Sequence, residues 1–150
     1  MTAEREDARH SSAGAWAKRY YSASRAVTDS VLRPFDVGST QWLVLYQLAN
    51  DGPTMQRDLK PKLRIESATL SGVVNTLVRK GLVEQTPHPA DQRQRMLRLT
   101  PSGLKLWNEL PDPIALTHAV AFDSVDAAEL ATVVKVLQAA TQRLNNLLAL

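Results

Sequence analysis

The sequence predicts a mainly α-helical fold that contains one small β-hairpin, an α+β arrangement. Between Ala68 and Val78, apolar residues recur at the i, i+3, i+4, i+7 positions of a helix with one buried face. Gly81 then ends this helix, and two runs of alternating residues follow, Leu82 to Thr86 and Met96 to Thr100. Helical spacing also marks the segments on both sides, and 150 residues suffice for one domain with its own core.

Composition narrows the class of protein. Hydrophobic residues make up 44% of the chain and charged residues 22%, values that are ordinary for a globular protein and argue against disorder. No apolar run approaches the ~20 residues of a membrane span, and the N-terminal dozen residues lack the apolar stretch of a signal peptide. We therefore expect a cytoplasmic protein with no membrane partner. The absence of cysteine excludes disulfides, thiolate zinc sites and thiol redox switches.

Two helices precede the central region. The first should run to about Arg33, because Pro34 breaks it. The second begins near Ser39 or Thr40 and ends at the Asn-Asp-Gly-Pro turn of residues 50–53. Their apolar stripes consist of Trp16, Tyr20, Ala23, Val27 and Val31 in the first helix and of Trp42, Leu45 and Leu48 in the second.

A short helix is expected over Thr54 to Leu63, with Thr54 as its cap and Leu59 facing the core. Pro61 lacks an amide proton and disfavours helical geometry at Lys60. We therefore expect this helix to be shortened or split into two turns.

The next helix presents one apolar face and one face of small, polar or cationic side chains. Ser67 is suited to cap its N-terminus, while Arg79 and Lys80 in the last turn complement the helix dipole. An ordinary solvated face has the same composition, but nothing bulky on this one blocks its approach to a groove. The apolar face contains Leu70, Val73, Val74 and Leu77, and the other contains Ser67, Ser71, Gly72, Asn75, Thr76 and Arg79.

The connection between the two alternating runs contains turn-forming residues and two cations. Pro87, Pro89 and Asp91 favour a loop, and Arg93 and Arg95 are expected near its tip. A basic loop beside a small-residue helix suits a contact with the DNA backbone or minor groove, next to a helix that reads the major groove.

The C-terminal third predicts further helices. Pro101 suits the first turn of one that is interrupted by Pro111 and Pro113. The last helix should start after Asp123 or Ser124, with an apolar stripe at nearly heptad spacing. This stripe belongs either to an intramolecular core or to the interface with a partner. It contains Leu130, Val133, Val134, Leu137, Ala140, Leu144, Leu147 and Leu148.

Positive charge is concentrated in the middle of the chain. Residues 53–100 hold nine Lys or Arg and four acidic residues, a net +5, whereas residues 1–52 balance at six each and residues 101–150 carry −2. A basic middle with neutral and acidic ends is expected when only the middle faces phosphate, although a merely soluble basic surface would look the same.

Three motifs in the expected order resemble the winged helix-turn-helix of MarR-type (multiple antibiotic resistance regulator) transcription factors. They are the Leu-x-x-x-Gly-Leu-Val run from Leu77 to Val83, the Asp-x-Arg of Asp91 and Arg93, and the Leu-Thr-x-x-Gly that ends at Gly103. The resemblance implies a single domain, with a DNA-binding lobe at about residues 39–100 and dimerisation helices at about 12–33 and 101–150. It also implies that Arg93 reaches the minor groove or phosphates and that Asp91 orients the wing, although Asp91 is equally interpreted as a simple turn residue.

The sequence departs from this family at two places. Pro61 follows Leu59-Lys60 where the family has Leu-Ala, and Gly72 stands where an arginine is frequent, so a bidentate arginine contact with guanine is lost there. We expect Gly72 to permit close approach to the DNA backbone or a thymine methyl. Base reading is then assigned to Ser67, Thr69, Ser71 and Asn75, wing contacts to Asp91, Arg93 and Arg95, and phosphate contacts to Lys60, Lys62 and Arg64.

The resemblance also implies partners. A homodimer would bind a pseudo-palindromic double-stranded DNA operator, as a repressor, and a small aromatic or phenolic acid would bind between the dimer helices and the DNA-binding lobe. Aromatic walls with a cation for the carboxylate are the expected features of such a site, although each aromatic residue alone is better explained as core. The candidates are Trp16, Tyr20, Arg25, Trp42 and His118.

Catalysis has little support in the sequence. His10, His88 and His118 are scattered without the spacing of a metal site or of a nucleophile with its base, and no Gly-rich phosphate loop is present. We expect no enzyme activity and no cofactor. The alternative function is a winged-helix module whose basic middle binds a protein and not DNA.

Overall fold

The computed structural model describes residues 11–149, so the polar N-terminal tail with His10 lies outside the described residues. The chain divides into two compact units, one that ends at Ile114 and one that starts at Ala115. The helices are α1 (Ala13–Leu32), α2 (Ser39–Asp51), α3 (Gln56–Leu63), α4 (Ser67–Arg79), α5 (Pro101–Glu109), α6 (Pro113–Ala121) and α7 (Ala127–Leu148). The strands β1 (Thr54–Met55), β2 (Val83–His88) and β3 (Asp91–Leu99) form an antiparallel sheet in the order β1-β3-β2. The predicted mainly α, α+β fold is confirmed.

Helix α1 ends where its sequence predicts. A 3-10 turn, Arg33–Phe35, contains Pro34 and is closed by Asp36 in the left-handed conformation (φ 56°). The amide of Ser39 at the start of α2 donates to the Asp29 carboxylate at 3.0 Å, which connects the two helices.

The core of the first unit forms mainly where apolar faces of α2 and α4 meet the sheet. The predicted inward residues of both helices are buried or half-buried, and Val44, which the sequence did not single out, is also buried. The buried hydrophobic residues are Leu32, Val37, Trp42, Val44, Leu45, Leu48, Leu59, Leu70, Val74, Leu77, Val83 and Leu97.

The start of the helix-turn-helix differs from the prediction. Thr54 does not cap a helix; it pairs with Leu97 in the sheet, and its hydroxyl donates to the Gly52 carbonyl at 2.9 Å. Helix α3 begins only at Gln56. It is short but not split, and Pro61 lies inside its eight residues. Pro61 is exposed, so water can reach the backbone around the missing hydrogen bond.

A tight turn joins α3 to α4. Arg64 adopts a left-handed conformation (φ 52°), and its amide and that of Ile65 both donate to the Lys60 carbonyl. The prediction that Ser67 caps α4 is wrong, because Glu66 occupies the cap position and Ser67 is the first helical residue. The Glu66 side chain makes no capping hydrogen bond.

Gly81 stops helix α4 two residues after its last helical residue, Arg79, as predicted. Gly81 has a φ of 74°, its amide donates to the Val78 carbonyl, and the Leu82 amide donates to the Leu77 carbonyl, both at 3.0 Å. These two bonds satisfy carbonyls that the helix end would leave free, and they direct the chain into β2.

The wing is the hairpin of β2 and β3, and both strands extend further towards its tip than the sequence predicts. The expected arginine-bearing loop contracts to a turn at Pro89 and Ala90, so Arg93 and Arg95 lie on β3 and not in a loop. Pro87 is tolerated within β2 because β2 is an edge strand, where a missing amide donor breaks no second ladder.

Gly103 fixes how α5 packs. A Cβ atom there would lie 2.0 Å from the Leu82 carbonyl oxygen, so only glycine lets the helix approach the end of α4 this closely. Thr100 caps α5 by accepting from the Gly103 amide at 3.0 Å, and its hydroxyl donates to the Gly81 carbonyl at 2.6 Å.

The second unit contains α7, which starts slightly later than predicted. Ser124 has a left-handed conformation (φ 60°), and Asp126 caps the helix by accepting from the Ala128 amide at 3.1 Å. None of its apolar stripe residues is buried, and Leu144 is 63% exposed. Within residues 11–149, no helix combines the length and apolarity needed to cross a membrane.

Candidate functional site

A groove of about 570 Å³ lies between α3, α4 and the wing. It brings together most of the residues that the sequence assigned to nucleic-acid contact. These are Lys60, Ser67, Ser71, Asn75, Arg93 and Arg95.

The orientation of α4 determines which side chains face the groove. Leu70, Val74 and Leu77 are buried and fix the rotation of the helix, so Ser71 and Asn75 are exposed. Both carry side chains that can donate and accept hydrogen bonds, and asparagine can pair with adenine through two bonds.

Two residues on the exposed side of α4 have different roles. A Cβ atom on Gly72 would meet nothing within 4 Å, so contacts within the chain do not require glycine here. The Thr76 hydroxyl donates to the Gly72 carbonyl at 3.0 Å and accepts from Arg79 at 3.5 Å. Thr76 is therefore engaged by its own helix, whereas Gly72 leaves open space.

The tip of the wing is held by side chains. One Asp91 carboxylate oxygen accepts from the Arg93 amide at 3.0 Å, and His88 Nδ1 accepts from the Ala90 amide at 3.1 Å. Asp91 thus closes the turn from the first position of β3, and through this bond it also fixes the backbone that carries Arg93. The two interpretations of Asp91 are compatible.

Positive charge in the groove is largely uncompensated. Arg93 and Arg95 are two residues apart on β3, so both point to one side of the strand, and both are exposed. Within residues 11–149, no carboxylate forms an ion pair with Lys60, Arg93 or Arg95. Such cations can bind phosphate without first breaking an internal pair.

The other two predicted phosphate contacts lie elsewhere. Lys62 forms a 3.1 Å ion pair with Asp51, and Arg64 lines a different cavity. Lys80, at the end of α4, is held away from the groove by hydrogen bonds to the Asp36 carbonyl and to Gln41.

Sequence reasoning missed several groove residues. Arg57 lies one turn before Lys60 on α3, a spacing that could have identified it. Gln56 and Gln85 also line the groove and are joined by a 2.7 Å hydrogen bond from Gln85 to Gln56. Only the packing of α3 against the sheet brings these two residues together, and no local pattern indicates it.

A second cavity, a cleft of about 330 Å³, is lined by parts of α1 and α2, by the α3–α4 turn and by Ile114. Of the predicted effector residues, Arg25 and Trp42 line it. Trp16 and Tyr20 do not, whereas Tyr21 does, and its hydroxyl accepts from Arg25 at 3.5 Å. His118 lies on α6, in the second unit.

Trp42 lines the cleft with a side chain that is almost entirely buried. It is 2% exposed, and its indole nitrogen has no hydrogen-bond partner. Its ring contacts Tyr46 and Trp107, with centroids 5.2 and 5.5 Å away. Leaving an indole N–H without an acceptor is costly, so Trp42 carries an unsatisfied donor within the core of the first unit.

The described residues contain no cluster of His, Cys, Asp or Glu that could hold a metal ion. The candidate residues of the first unit gather at two cavities, a cationic and amide-rich groove and an aromatic cleft with two arginines.

Comparison with known proteins identifies relatives. A model of the MarR family matches residues 38–94. The transcriptional repressor NicR of Pseudomonas putida is 28% identical over 100 residues, which cover 67% of this chain but only 63% of NicR. The multiple antibiotic resistance protein MarR of Salmonella typhimurium is 30% identical over 81 residues, 54% of this chain and 56% of that protein.

Solved structures share the fold. A mutant of MarR from E. coli, complexed with operator DNA, matches with a TM-score of 0.75 and 24% identity over 85% of this chain and 91% of that chain. BpsR of Bordetella bronchiseptica, whose DNA binding is regulated by 6-hydroxynicotinic acid, matches with a TM-score of 0.78 and 24% identity over 88% of this chain and 94% of BpsR. PcaV of Streptomyces coelicolor, in complex with its natural ligand, matches with a TM-score of 0.74 and 26% identity over 88% of this chain and 93% of PcaV.

Proposed function

The chain belongs to the MarR family of transcriptional regulators, and from this premise we propose that it is a sequence-specific DNA-binding repressor. It acts as a homodimer on a pseudo-palindromic operator. This role implies a cytoplasmic location and no catalytic activity.

The groove is the observation that carries this proposal. It combines exposed Ser71 and Asn75 on α4 with Arg93 and Arg95 on β3 and Lys60 on α3. Small amide and hydroxyl side chains can enter a major groove and read base edges, while cations on both flanks hold the phosphates. A small polar helix face lacks the aromatic anchors typical of a protein-binding surface, whereas unpaired cations on its flanks suit phosphates, so DNA is the favoured partner.

Exposed apolar residues outside the DNA-binding lobe support the dimer. The DNA-binding lobe corresponds to about residues 39–100, and about 12–33 and 101–150 form the dimerisation region of the same domain. Trp16 on α1 is 58% exposed and Leu147 on α7 is 66% exposed. Burial of these stripes in a partner would remove large apolar side chains from water. A two-fold dimer would present two α4 helices ~34 Å apart, one helical turn of DNA.

The aromatic cleft supports regulation by a small aromatic or phenolic acid. Trp42 and Tyr21 supply aromatic walls, and Arg25 supplies a cation. BpsR, a structural relative, responds to 6-hydroxynicotinic acid. An effector of this class changes operator affinity only if it binds the DNA-bound and free conformations unequally.

The proposal is tested by selecting binding sites from random duplexes and measuring affinity as a function of salt. A pseudo-palindromic consensus is expected, and affinity should fall by about 10³-fold or more between 50 and 200 mM salt if six or more phosphates are contacted. A monomer that ignores duplex DNA even at low salt would refute the proposal. A protein-binding module would show neither a consensus nor a steep dependence on salt.

A further inference from the structure

The groove and the cleft share their walls. On α3, Lys60 lines the groove whereas Leu63 lines the cleft. On α4, Ser67 and Ser71 line the groove whereas Thr69, on the other flank of the helix, lines the cleft. The helix-turn-helix is therefore a partition between the two cavities, and an occupant of the cleft touches the same two helices that shape the groove.

Charge in the cleft is uncompensated. Arg25 and Arg64 both line it, and none of its lining residues is acidic. The neighbouring Asp29 carboxylate accepts from the Ser39 amide, and neither arginine has an ion-pair partner within residues 11–149. Arg25 donates to the neutral Tyr21 hydroxyl at 3.5 Å, so the two guanidinium groups have no anionic partner among the described residues. Aromatic walls beside such donors fit a planar aromatic carboxylate.

Arg64 occupies a special position in this arrangement. It is the residue between α3 and α4, and its left-handed backbone (φ 52°) is fixed by the two hydrogen bonds to the Lys60 carbonyl. Its exposed side chain is long enough to turn either into the cleft or outward along the start of α4. Cations at this point of a helix-turn-helix are suited to phosphate contacts.

We propose that Arg64 is an anion-binding residue shared by the cleft and the DNA interface, so that an aromatic carboxylate and a DNA phosphate compete for it. The inference rests on the proposed function. The Arg64 side chain cannot turn into the cleft and outward along α4 at the same time, so its guanidinium cannot serve both anions at once. Competition of this kind acts within one subunit, in addition to any change in the spacing of the two α4 helices. By linkage, the carboxylate and the DNA weaken each other by the same factor.

Three variants separate the roles of the cations, and all are made in the full chain. Arg64→Asn removes the guanidinium but keeps a residue that tolerates a left-handed backbone. Arg25→Gln removes a cation from the cleft only, and Lys60→Gln removes one from the groove only. For each protein, affinities are measured for the selected duplex and for benzoate and 6-hydroxynicotinate, with neutral benzamide as the control ligand.

Arg64→Asn is expected to weaken binding of the acids and of the duplex by about tenfold each, and benzoate should no longer reduce its DNA affinity. Arg25→Gln should weaken only the acids, and Lys60→Gln only the duplex. Benzamide should bind weakly to all four proteins. If Arg64→Asn lowers the melting temperature, Arg64→Lys replaces it; the expected result is then retained DNA affinity with weakened acid binding, because lysine lacks the bidentate fork.

Several results would overturn the inference. One is a folded Arg64→Asn protein that loses only one of the two affinities or neither, and another is an Arg64→Lys protein that binds the acids as the wild type does. A third is a wild-type protein that binds neither acid at concentrations up to about 5 mM. A dissociation constant above this concentration corresponds to a binding free energy weaker than about −3 kcal/mol. The proposed function fails separately, if the wild-type protein does not bind the duplex at all.

Discussion

The lobe formed by α2 to α5 and the C-terminal helix α7 carry apolar stripes of the same helical spacing, yet they bury them to different extents. Leu77 on α4 is 0% exposed, whereas Leu144 on α7 is 63% exposed. The lobe therefore gains its stability from contacts within the chain. Helix α7 keeps an apolar face that only another surface can cover, and large exposed apolar patches mark interaction sites.

The largest effect that tests this contrast is expected in the lobe. Leu77→Ala should lower the free energy of unfolding by about 2–5 kcal/mol, because it leaves a cavity in a fully packed core. Urea unfolding followed by circular dichroism measures it. Val78→Ala is the matched control, since Val78 is the next residue of the same helix and is 37% exposed. Equal costs for the two variants would mean that α4 is not anchored by its apolar face.

The second test concerns α7. Leu144→Glu should convert the dimer to monomers while the lobe stays folded, because a carboxylate would be buried without a partner in the interface. Sedimentation equilibrium measures the change. Gln142→Glu adds the same charge on the opposite face of the helix and should leave the dimer intact. If Leu144→Glu remains dimeric, the stripe of α7 is not part of the interface.

The third test compares two arginines of β3, one that lines the groove and one that does not. Arg93→Ala is expected to weaken binding to all duplexes by a similar factor and to reduce the salt slope by about 1. Arg98→Ala is the matched control on the same strand, because Arg98 is exposed but does not line the groove. Fluorescence anisotropy at several salt concentrations distinguishes them. A slope that Arg93→Ala leaves unchanged would exclude a phosphate contact at this residue.

The sequence predicts those parts of the structure that have a periodic apolar pattern or a residue, such as glycine or proline, that favours one backbone conformation. The apolar stripe from Leu70 to Leu77 predicts helix α4 and the face that it turns to the core, and Gly81 predicts where the helix stops. Strand β1 was missed because Thr54 and Met55 are too few to show alternation, and their pairing with β3 spans 42 residues or more of chain. Pairing across the sheet also converts the predicted loop around Arg93 into strand.

The candidate site was predictable in composition but not in geometry. Ser71, Asn75 and Arg93 were identified from a helix face and a motif, and the structure brings them into one groove. Thr69 and Arg64 were assigned to DNA by their nearness in sequence, and the structure shows that both also line the cleft. Which cavity a flanking residue faces depends on how α3 and α4 pack on the rest of the lobe, and a helical period alone does not contain that information.

The smallest effect is expected at Gly72, where α4 faces open space and not the core of the lobe. Gly72→Ala should raise the free energy of unfolding by up to about 1 kcal/mol, since alanine favours a helix and its Cβ would meet no atom within 4 Å. Its operator affinity should nevertheless fall, if glycine permits close approach to the DNA. Gly103→Ala, in contrast, places a Cβ 2.0 Å from the Leu82 carbonyl oxygen and should destabilise the lobe. A Gly72→Ala protein that is more stable and binds the operator unchanged would show that this glycine serves neither folding nor recognition.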